Sequence, residues 1–597
     1  MANYKAPLRD MQFVLNEVFD IGEISKLPGY ADASPDVITA VLEEAAKLCE
    51  NELFPLNLSG DKEGCLYENG VVRTPKGFKE AYNTFREGGW TSLACDPKYG
   101  GQGLPKSVHF VVEEMICSSN MAFGMYPGLS SGAYNAIELH ASEELKNRYL
   151  PKITDGSWSG TMCLTEPQCG TDLGMLRTRA VPQADGSYKI TGTKIFISAG
   201  EHDLTENIVH LVLARLPDAP PGIKGISLFL VPKYLPKESG GTVHVGPSNG
   251  VVCPSIEHKM GIKASATCVI VFEASTGWMI GEKHKGMRAM FAMMNAARLG
   301  VGIQGLGLAE VSYQAARDYA KDRIQGRALK GAKAKDKVAD PLIVHPDIRR
   351  MLLDIKSVTE PARALAYWIG MQIDVLLKHP DPAVRQEADD LVALMTPIIK
   401  SFMTDHGFDA ANLAVQVHGG HGYIHETGVE QYVRDARITQ IYEGANGIQA
   451  LDLIGRKMPE GGGRLLRRFF HPVQAFIEAN GADPQMAEFV GPLAKAFARL
   501  QQVTLWMAQQ GLANPEDPAA GASDYLKMFG LVVLGYMWCR MVKTALPKAA
   551  VDTTGFYQSK IETARYFFAK VLPDHASLAL SITAGSKPVM AMAEAAF

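Results

Sequence analysis

The order in which helical and β-strand patterns follow one another constrains this chain more than any other feature. Residues 1–160 carry apolar residues at helical spacing, residues 161–284 carry short β-rich runs between turns, and residues 285–458 are helical again. A glycine-rich break at 459–463 then leads to a helical extension over residues 464–597. Strands in succession without intervening helices indicate an antiparallel sandwich or barrel. We therefore predict a mostly α protein with a central β-domain, divided into a helical N-domain, the β-domain, a helical bundle and an extra C-terminal helical domain.

Four runs in the second segment predict its strands most clearly. They are residues 188–198, 207–216, 225–233 and 267–274, all rich in β-branched and aromatic residues and separated by turn clusters. A chain of 597 residues also exceeds what one hydrophobic core usually supports, so that two to four domains are expected.

Composition narrows the classes of function. An apolar fraction of 47% and a charged fraction of 21% are ordinary for a globular protein, and a formal charge of -4 gives no electrostatic footprint for nucleic acid. Nine scattered cysteines without a C-x-x-C motif indicate a reducing compartment, and the acidic N-terminus resembles neither a signal peptide nor a transit peptide. The longest apolar run, residues 528–539, is shorter than the roughly 20 residues that cross a bilayer, so we predict a buried helix.

One apparent nucleotide-binding motif fails on its context. Residues 300–305 read G-V-G-I-Q-G, which matches the dinucleotide fingerprint G-x-G-x-x-G. That fingerprint requires a strand before it and a helix that opens at it, whereas the residues on both sides carry one continuous helical pattern. Small residues on a buried helix face, which let two helices approach closely, are the better interpretation.

The histidine-rich segment HGGHGYIHE, residues 418–426, has two interpretations. Several imidazoles close together in sequence can bind a metal, but the spacing H-E-x-x-H is missing. The two adjacent glycines favour a tight turn at which the backbone approaches a ligand, and we expect no metal here.

Two further places could carry chemistry. The segment MCLTEPQCGTD, residues 162–172, suits close backbone approach to a flat ligand with polar edges, although a strand-entry loop explains it equally well. Glu443 precedes a helix predicted after Gly447, with Asn446 and Gln449 resembling a capping pair. Its apolar neighbours suit a general base, although a glutamate at a helix start is more often only a favourable partner of the helix dipole.

Four segments together resemble the acyl-CoA dehydrogenase family. MCLTEPQCGTD is similar to the first signature of the family, and AVQVHGGHGY with RDARITQIYEGANGIQ to its second. TGTKIFIS resembles the stretch that covers the flavin, and MGIKASATCVIVFE the strand that closes the β-domain. The matches run in the order of the family across residues 35–457 and agree with the helical–β–helical pattern. The resemblance implies an FAD-dependent enzyme that oxidises an acyl-CoA thioester to the trans-2-enoyl-CoA.

The resemblance also implies roles for individual residues. Glu443 matches the base that removes the α-proton, while flavin N5 takes the β-hydride. Thr165 would hydrogen-bond the flavin ring, Phe196 would pack on it, and Ser198 would bond near N5. The other implied cofactor contacts are Met162, Leu164, Gly170, Thr171, Arg323, Gln416, Gly419, Gly420 and Asn446, and the implied substrate contacts are Thr171, Arg298 and Gly444.

The position of the base has an internal check. Some branches of the family carry it on the long helix of the third segment, where this chain has Ala297, which cannot act as a base. Glu443 is then the only carboxylate at either place. The chain departs from the family where Arg323 is not followed by the usual aromatic residue, and where Ala445 replaces a common hydroxyl residue.

The extension, residues 464–597, lies outside the core pattern of the family. It resembles that of long-form bacterial members, which include the 3-methylmercaptopropionyl-CoA dehydrogenases and enzymes of longer fatty acyl-CoA. A fatty acyl-CoA is therefore the expected substrate, with 3-methylmercaptopropionyl-CoA as one alternative and an acyl-CoA oxidase, which passes electrons to oxygen, as another. We expect the extension to pack between subunits.

The resemblance also suggests partners. Electron-transferring flavoprotein is the expected electron acceptor, and a second copy of the chain is expected in a homodimer or tetramer. We expect no nucleic acid and no membrane span, and a cytoplasmic enzyme of fatty acid β-oxidation.

Overall fold

Two units divide the chain in the computed structural model, which describes residues 3–597. The helical unit comprises the residues up to Ala46, Pro105–Ser118 and Val301–Phe597, and the mixed unit comprises Lys47–Leu104 and Ser119–Gly300. These two units do not coincide with the four predicted segments. The difference arises because the first helices of the chain pack on C-terminal helices, whereas the end of the N-terminal segment packs on the sheet.

Helices dominate both ends of the chain. In chain order they are α1 (Leu8–Gln12), α2 (Gly22–Ser25), α3 (Pro35–Leu48), α4 (Pro55–Glu63), α5 (Phe78–Glu87), α6 (Lys106–His140), α7 (Glu143–Thr154), α8 (Gly286–Asp322), α9 (Pro346–Lys378), α10 (Pro382–His418), α11 (Glu430–Thr439), α12 (Asn446–Asp452), α13 (Arg464–Asn480), α14 (Ala487–Ala513), α15 (Glu516–Ala520), α16 (Ala522–Ala549), α17 (Phe556–Tyr566), α18 (His575–Thr583) and α19 (Lys587–Met590). The predicted alternation of helical, β and helical segments is confirmed.

The strands lie in the mixed unit. They are β1 (Leu66–Glu68), β2 (Val71–Arg73), β3 (Trp158–Cys163), β4 (Arg179–Pro182), β5 (Tyr188–Ser198), β6 (Asn207–Arg215), β7 (Ile226–Pro232), β8 (Tyr234–Ser239), β9 (Thr242–Ser248), β10 (Val251–Ile256) and β11 (Thr267–Ile280). Strands β11, β5, β4, β6 and β7 pair in turn, and β7 pairs back with β11, which closes a barrel; β10 adds to β11 and β3 adds to β6.

Strand direction is only partly as predicted. Most pairs are antiparallel, but β3 and β4 both pair with β6 in parallel, so the expectation of a wholly antiparallel sheet is wrong for these two strands. The four predicted strands are present as β5, β6, β7 and β11. Strand β3 was missed because its sequence, WSGTMC, contains small polar residues and no β-branched aliphatic run.

The G-x-G-x-x-G segment lies inside α8, as the helical interpretation predicted. A Cβ on Gly302 would lie 2.5 Å from Ile399 Cγ2 of α10, and a Cβ on Gly305 would collide with the backbone of Met403. The glycines therefore let α8 and α10 pack with their backbones close together. Because α8 already begins at Gly286, no strand leads directly into these glycines, and the dinucleotide interpretation is wrong.

The extension belongs to the helical unit and packs on the other helices of that unit. All residues of the run 528–539 are buried in α16, and Trp538 Nε1 donates to the carbonyl of Ser357 on α9 at 2.8 Å. By length and composition α16 could cross a bilayer, but 78% of its apolar window is buried inside the protein. This confirms the predicted buried helix. The expected packing between subunits stays a prediction.

Candidate active site

A buried ion pair organises the segment that follows β3. Glu166, which is 3% exposed, accepts a hydrogen bond from Lys194 Nζ of β5 at 2.9 Å, and Lys194 is fully buried. The same carboxylate accepts from the N–H of Arg177 at 2.7 Å and from the N–H and hydroxyl of Thr178 at 3.0 and 2.6 Å. Burial alone would raise the pKa of Glu166, but the Lys194 ammonium and these hydrogen bonds lower that pKa to about 2. An ionised Glu166 therefore ties the loop to β5.

Sequence reasoning missed Glu166 and Lys194. A lysine inside the apolar run TGTKIFIS was the available signal, because a charged residue within a strand of a closed sheet needs a partner. The first signature contains the matching glutamate, but sequence spacing alone cannot show that the two side chains meet.

Phe196 lies at a bulge in β5. The register of β5 against β11 shifts between Lys194 and Ile197, so that two residues of β5 oppose one residue of β11. Phe196 has a φ of 57°, and its side chain is 59% exposed. A left-handed conformation costs a bulky residue on the order of 1–3 kcal/mol and persists where the surrounding structure enforces it. The bulge thus presents an aromatic face outside the sheet, which fits the expected packing on a flat ring.

The other flavin candidates of the mixed unit lie close to this bulge in the chain or in the sheet. The carbonyl of Thr165 accepts the N–H of Ile195 at 3.0 Å, which places Thr165 beside the residue that precedes Phe196. Met162 and Leu164 are half-buried against the apolar core, Thr165 and Ser198 are partly exposed, and Gly170 and Thr171 are exposed on the loop. The structure therefore groups Met162, Leu164, Thr165, Phe196 and Ser198 on β3, β5 and the segment between β3 and β4.

The candidates on α8 fall in different units. Arg298 belongs to the mixed unit, with its guanidinium carbon 5.8 Å from the centre of the Phe291 ring. Arg323 follows the last residue of α8 in the helical unit and is exposed. Their expected contacts with substrate and cofactor stay predictions.

The glycine-rich turn after α10 belongs to the helical unit. Gly419 has a φ of 58° and ends the helix, and Gln416, Gly419 and Gly420 are all exposed. His418 is buried and stacks on Tyr319, with the ring centres 4.2 Å apart. Among residues 3–597, no group of three or more His, Cys, Asp or Glu side chains is arranged to hold a metal ion. The exposed turn fits the interpretation that its backbone approaches a ligand.

Glu443 lies in a short loop between α11 and α12. Glu443 and its neighbour Gly444 have φ values of 56° and 87°. The N–H of Asn446 donates to the carbonyl of Gln440 at 3.1 Å, which closes the loop. We call residues 440–446 the base loop. A glutamate in the left-handed region is held there by its surroundings at a cost in free energy, as is common where a side chain must be aimed.

The expected capping pair at the start of α12 is wrong. The residue that precedes the helix is Ala445, and no side chain caps it. Gln449 instead turns back, and its Nε2 lies 3.3 Å from the carbonyl oxygens of both Glu443 and Gly444. Gln449, on α12, therefore holds the backbone of the base loop by hydrogen bonds. A sequence match to a capping box could not reveal these contacts.

The side-chain amide of Asn446 forms hydrogen bonds with residues of α10. Its Oδ1 accepts from Lys400 Nζ at 2.8 Å, and its Nδ2 donates to Thr404 Oγ1 at 3.0 Å and to Asp405 Oδ1 at 2.7 Å. Sequence reasoning had Asn446 as a cofactor contact, and that contact stays a prediction. Within the protein, the Asn446 side chain anchors the base loop.

Models of known protein families match four successive parts of the chain. Residues 38–157, 161–275 and 284–458 match the models "Acyl-CoA dehydrogenase, N-terminal domain", "Acyl-CoA dehydrogenase, middle domain" and "Acyl-CoA dehydrogenase, C-terminal domain", and residues 469–593 match "Acetyl-CoA dehydrogenase C-terminal like". The chain belongs to the acyl-CoA dehydrogenase family. The resemblance inferred from the motifs is thereby confirmed, and with it the enzyme class, an FAD-dependent oxidoreductase that dehydrogenates acyl-CoA.

Individual members of the family are similar along their whole length. The chain is 43% identical over 576 residues to 3-methylmercaptopropionyl-CoA dehydrogenase of Ruegeria pomeroyi, covering 95% of this chain and 96% of that protein. It is 32% identical to the broad-specificity linear acyl-CoA dehydrogenase FadE5 of Mycobacterium tuberculosis, with full coverage of both chains. The structure of an acyl-CoA dehydrogenase from Bacillus anthracis complexed with FAD superposes with a TM-score of 0.75 at 21% identity, covering 96% of this chain and 91% of that one. This likeness confirms the fold class.

The exposed surface around Phe196, Thr165 and Ser198, which we call the flavin face, fits the cofactor of the family. An isoalloxazine ring is flat, apolar on its faces and polar along its edge, so it requires an exposed apolar surface beside hydrogen-bonding groups. Phe196 supplies an aromatic side chain that is 59% exposed, and the partly exposed Thr165 and Ser198 supply hydroxyls nearby in the sheet and loop.

Proposed function

We propose that this enzyme converts an acyl-CoA to the trans-2-enoyl-CoA, with Glu443 as the base that removes the α-proton. The observation that carries the proposal is the enforced left-handed conformation of Glu443 in a loop that Gln449, Asn446 and Gln440 all hold. A carboxylate whose backbone is fixed at this cost is positioned for a purpose other than stability. The absence of any carboxylate at Ala297, the alternative position in the family, supports the same assignment.

The protein has to make a weak carbon acid reactive. The α-proton of a thioester is far less acidic than a carboxylic acid, so the base works only where donors stabilise the negative charge that develops on the thioester oxygen. Gly444 follows Glu443 with a φ of 87°, so the peptide between them faces a direction that ordinary helical or extended backbone would not give. We assign Gly444 to the substrate for this reason. The bound flavin supplies the acceptor for the β-hydride.

The remaining sites divide by the part of the ligand that they would contact. Phe196 would cover the flavin ring, and Thr165 and Ser198 would bond its edge, together with Met162, Leu164, Gly170 and Thr171. Arg323, Gln416, Gly419 and Gly420 would hold the dinucleotide end through a guanidinium and exposed backbone. Arg298 and Thr171 would lie at the entrance for the CoA arm.

The acyl group that we propose is short or medium and unbranched. The relatives suggest two chemistries, a fatty acyl-CoA and 3-methylmercaptopropionyl-CoA, and the 43% identity to the Ruegeria pomeroyi enzyme favours the second. The two chemistries are nearly isosteric, because 3-methylmercaptopropionyl-CoA is pentanoyl-CoA with sulfur in place of one methylene. A place in fatty acid β-oxidation follows only from the first.

The proposal extends to partners and location. Electron-transferring flavoprotein is the proposed acceptor in preference to oxygen, and the proposed assembly is a homodimer or a tetramer. The cysteines, all nine of them free, suit a cytoplasmic location.

Anaerobic bleaching of the flavin absorbance by a panel of acyl-CoAs tests the reaction. Wild type should bleach within seconds with its preferred chain length, whereas Glu443→Gln should bind the same acyl-CoA and bleach at least about 1000-fold more slowly. Glu460→Gln, at an exposed glutamate beyond α12, serves as the control and should match wild type. A Glu443→Gln protein that bleaches as fast as wild type would reject the assignment.

The substrate is tested by direct competition. We expect 3-methylmercaptopropionyl-CoA to give a higher kcat/KM than pentanoyl-CoA, by about 10-fold, if the pocket distinguishes a thioether from a methylene. Higher values for pentanoyl-CoA or longer thioesters assign the enzyme to fatty acyl-CoA, and equal values show that the pocket does not distinguish the thioether from the methylene. Rapid peroxide formation in air would instead indicate an oxidase.

A further inference from the structure

One carboxylate oxygen joins the two ends of the base loop. Asp405 Oδ1, on α10, accepts Gln440 Nε2 at 2.8 Å and Asn446 Nδ2 at 2.7 Å. Gln440 and Asn446 are the first and last residues of the loop, and their backbones are also joined by a hydrogen bond. The loop that carries Glu443 is therefore a closed ring, and its two ends meet at a single atom of Asp405, while Asn446 also bonds Lys400 and Thr404 of α10.

The orientation of the Asn446 amide is fixed by its partners. Lys400 Nζ can only donate, so the amide oxygen faces Lys400, and the amide nitrogen donates to the carboxylate oxygen of Asp405. Lys400 is fully buried, whereas Asp405 is exposed. The buried lysine thus selects the side-chain orientation of Asn446, and the exposed aspartate completes the connection to the other end of the loop.

The hydrogen bonds to Asp405 oppose a change in the backbone conformation of Glu443. Glu443 is a non-glycine residue at φ 56°, and release of the two loop ends would let it return to a more common conformation. Such a change would rotate the carboxylate away from its direction in the present structure. Small errors in the placement of a reacting group lower rates steeply while leaving ligand affinity largely intact.

We propose that Asp405 is a positioning residue for the reaction, which holds Glu443 in its reactive orientation through Gln440 and Asn446. It touches neither substrate nor cofactor in this proposal and acts only through the loop. The proposal rests on the assignment of Glu443 as the base. Nothing in the family signatures marks Asp405, because it lies 38 residues before Glu443 on another helix.

Three variants of the purified holoenzyme test the proposal. Asp405→Ala removes both hydrogen bonds, and Asp405→Asn keeps an oxygen that can accept them. Asp409→Ala is the matched control, because Asp409 lies one turn further along α10, carries the same charge and is also exposed. For each, we would measure kcat, KM and the hydrogen–deuterium exchange of the amides of residues 441–447.

The expected result is specific to a positioning role. Asp405→Ala should lower kcat about 10-fold, leave KM within about 2-fold, and raise amide exchange in the base loop. Asp405→Asn should restore both kcat and protection, and Asp409→Ala should match wild type. An unchanged kcat in Asp405→Ala, or a kcat that falls equally in Asp405→Asn or Asp409→Ala, would overturn the proposal.

Failure of this proposal is separable from failure of the proposed function. Amide exchange is measured without turnover, so it reports the hold on the loop whatever group acts as the base. If Glu443→Gln remains active, the assignment of the base fails and the positioning proposal fails with it. If Glu443→Gln is inactive and Asp405→Ala is fully active, only the positioning proposal fails.

Discussion

Phe196 and Glu443 are both held in left-handed conformations, with φ values of 57° and 56°, but by different means. Phe196, in the mixed unit, lies in the bulge of β5, next to the buried ion pair that joins Lys194 to Glu166. Around Glu443, in the helical unit, the hold comes from side-chain amides and the exposed Asp405. Breaking a buried pair leaves a desolvated charge, whereas exposed hydrogen bonds contribute little to stability. Changes to the buried ion pair should therefore lower stability, and changes at the base loop should lower the rate.

The largest effect is expected from Lys194→Met. The variant leaves the Glu166 carboxylate buried without its cation, which should lower the free energy of unfolding by about 3–5 kcal/mol and weaken retention of FAD. Thermal denaturation and flavin release measure the two effects. Lys189→Met, on the same strand, removes only a hydrogen bond to Thr276 and should change stability by less than about 1 kcal/mol. Equal stability of Lys194→Met and Lys189→Met would show that the buried ion pair stabilises the protein no more than the hydrogen bond of Lys189 does.

The second-largest effect is expected from acid, which should lower the stability that the ion pair of Glu166 and Lys194 provides. The folded pKa of Glu166, about 2, lies below its ordinary value of 4.5, so its stabilisation is complete above pH 4.5. It is then lost as the pH falls from about 4.5 towards 2, by about 2 kcal/mol after allowance for solvent screening. Chemical denaturation between pH 3 and 6 should show this slope in wild type and a flatter one in Glu166→Gln. Identical slopes would show that Glu166 does not titrate in this way.

The smallest change in stability is expected from Phe196→Gly. Glycine adopts φ 57° without strain, which offsets its greater entropy in the unfolded chain, so the free energy of unfolding of the apoprotein should stay within about 1 kcal/mol of wild type. The affinity for FAD should nevertheless fall about 10-fold, because the aromatic cover is lost. Fluorescence titration with FAD measures this. Unchanged affinity would show that Phe196 does not pack on the flavin.

Sequence patterns predicted the class of the fold and missed what holds its special residues in place. The β5 run and the continuous helix through Gly302 were predictable because local periodicity determines both. The parallel pairing of β3 with β6 was not, because strand direction depends on neighbours distant in sequence. The same limit applies to Lys194 and Asp405, whose partners lie 28 and at least 35 residues away. Motif resemblance marked Glu443 and Phe196, but it carried no information on the contacts that set their backbone conformations.

Exchange of the α-hydrogen tests the central claim, that Glu443 is the base, apart from hydride transfer. An acyl-CoA analogue with sulfur in place of the β-carbon can lose an α-proton but has no β-hydride to give. Its α-deuterated form, incubated with the holoenzyme in H₂O, should lose deuterium with wild type and at least about 1000-fold more slowly with Glu443→Gln, at equal occupancy of the analogue. Deuterium loss at the same rate in both proteins would contradict the account and require a different base.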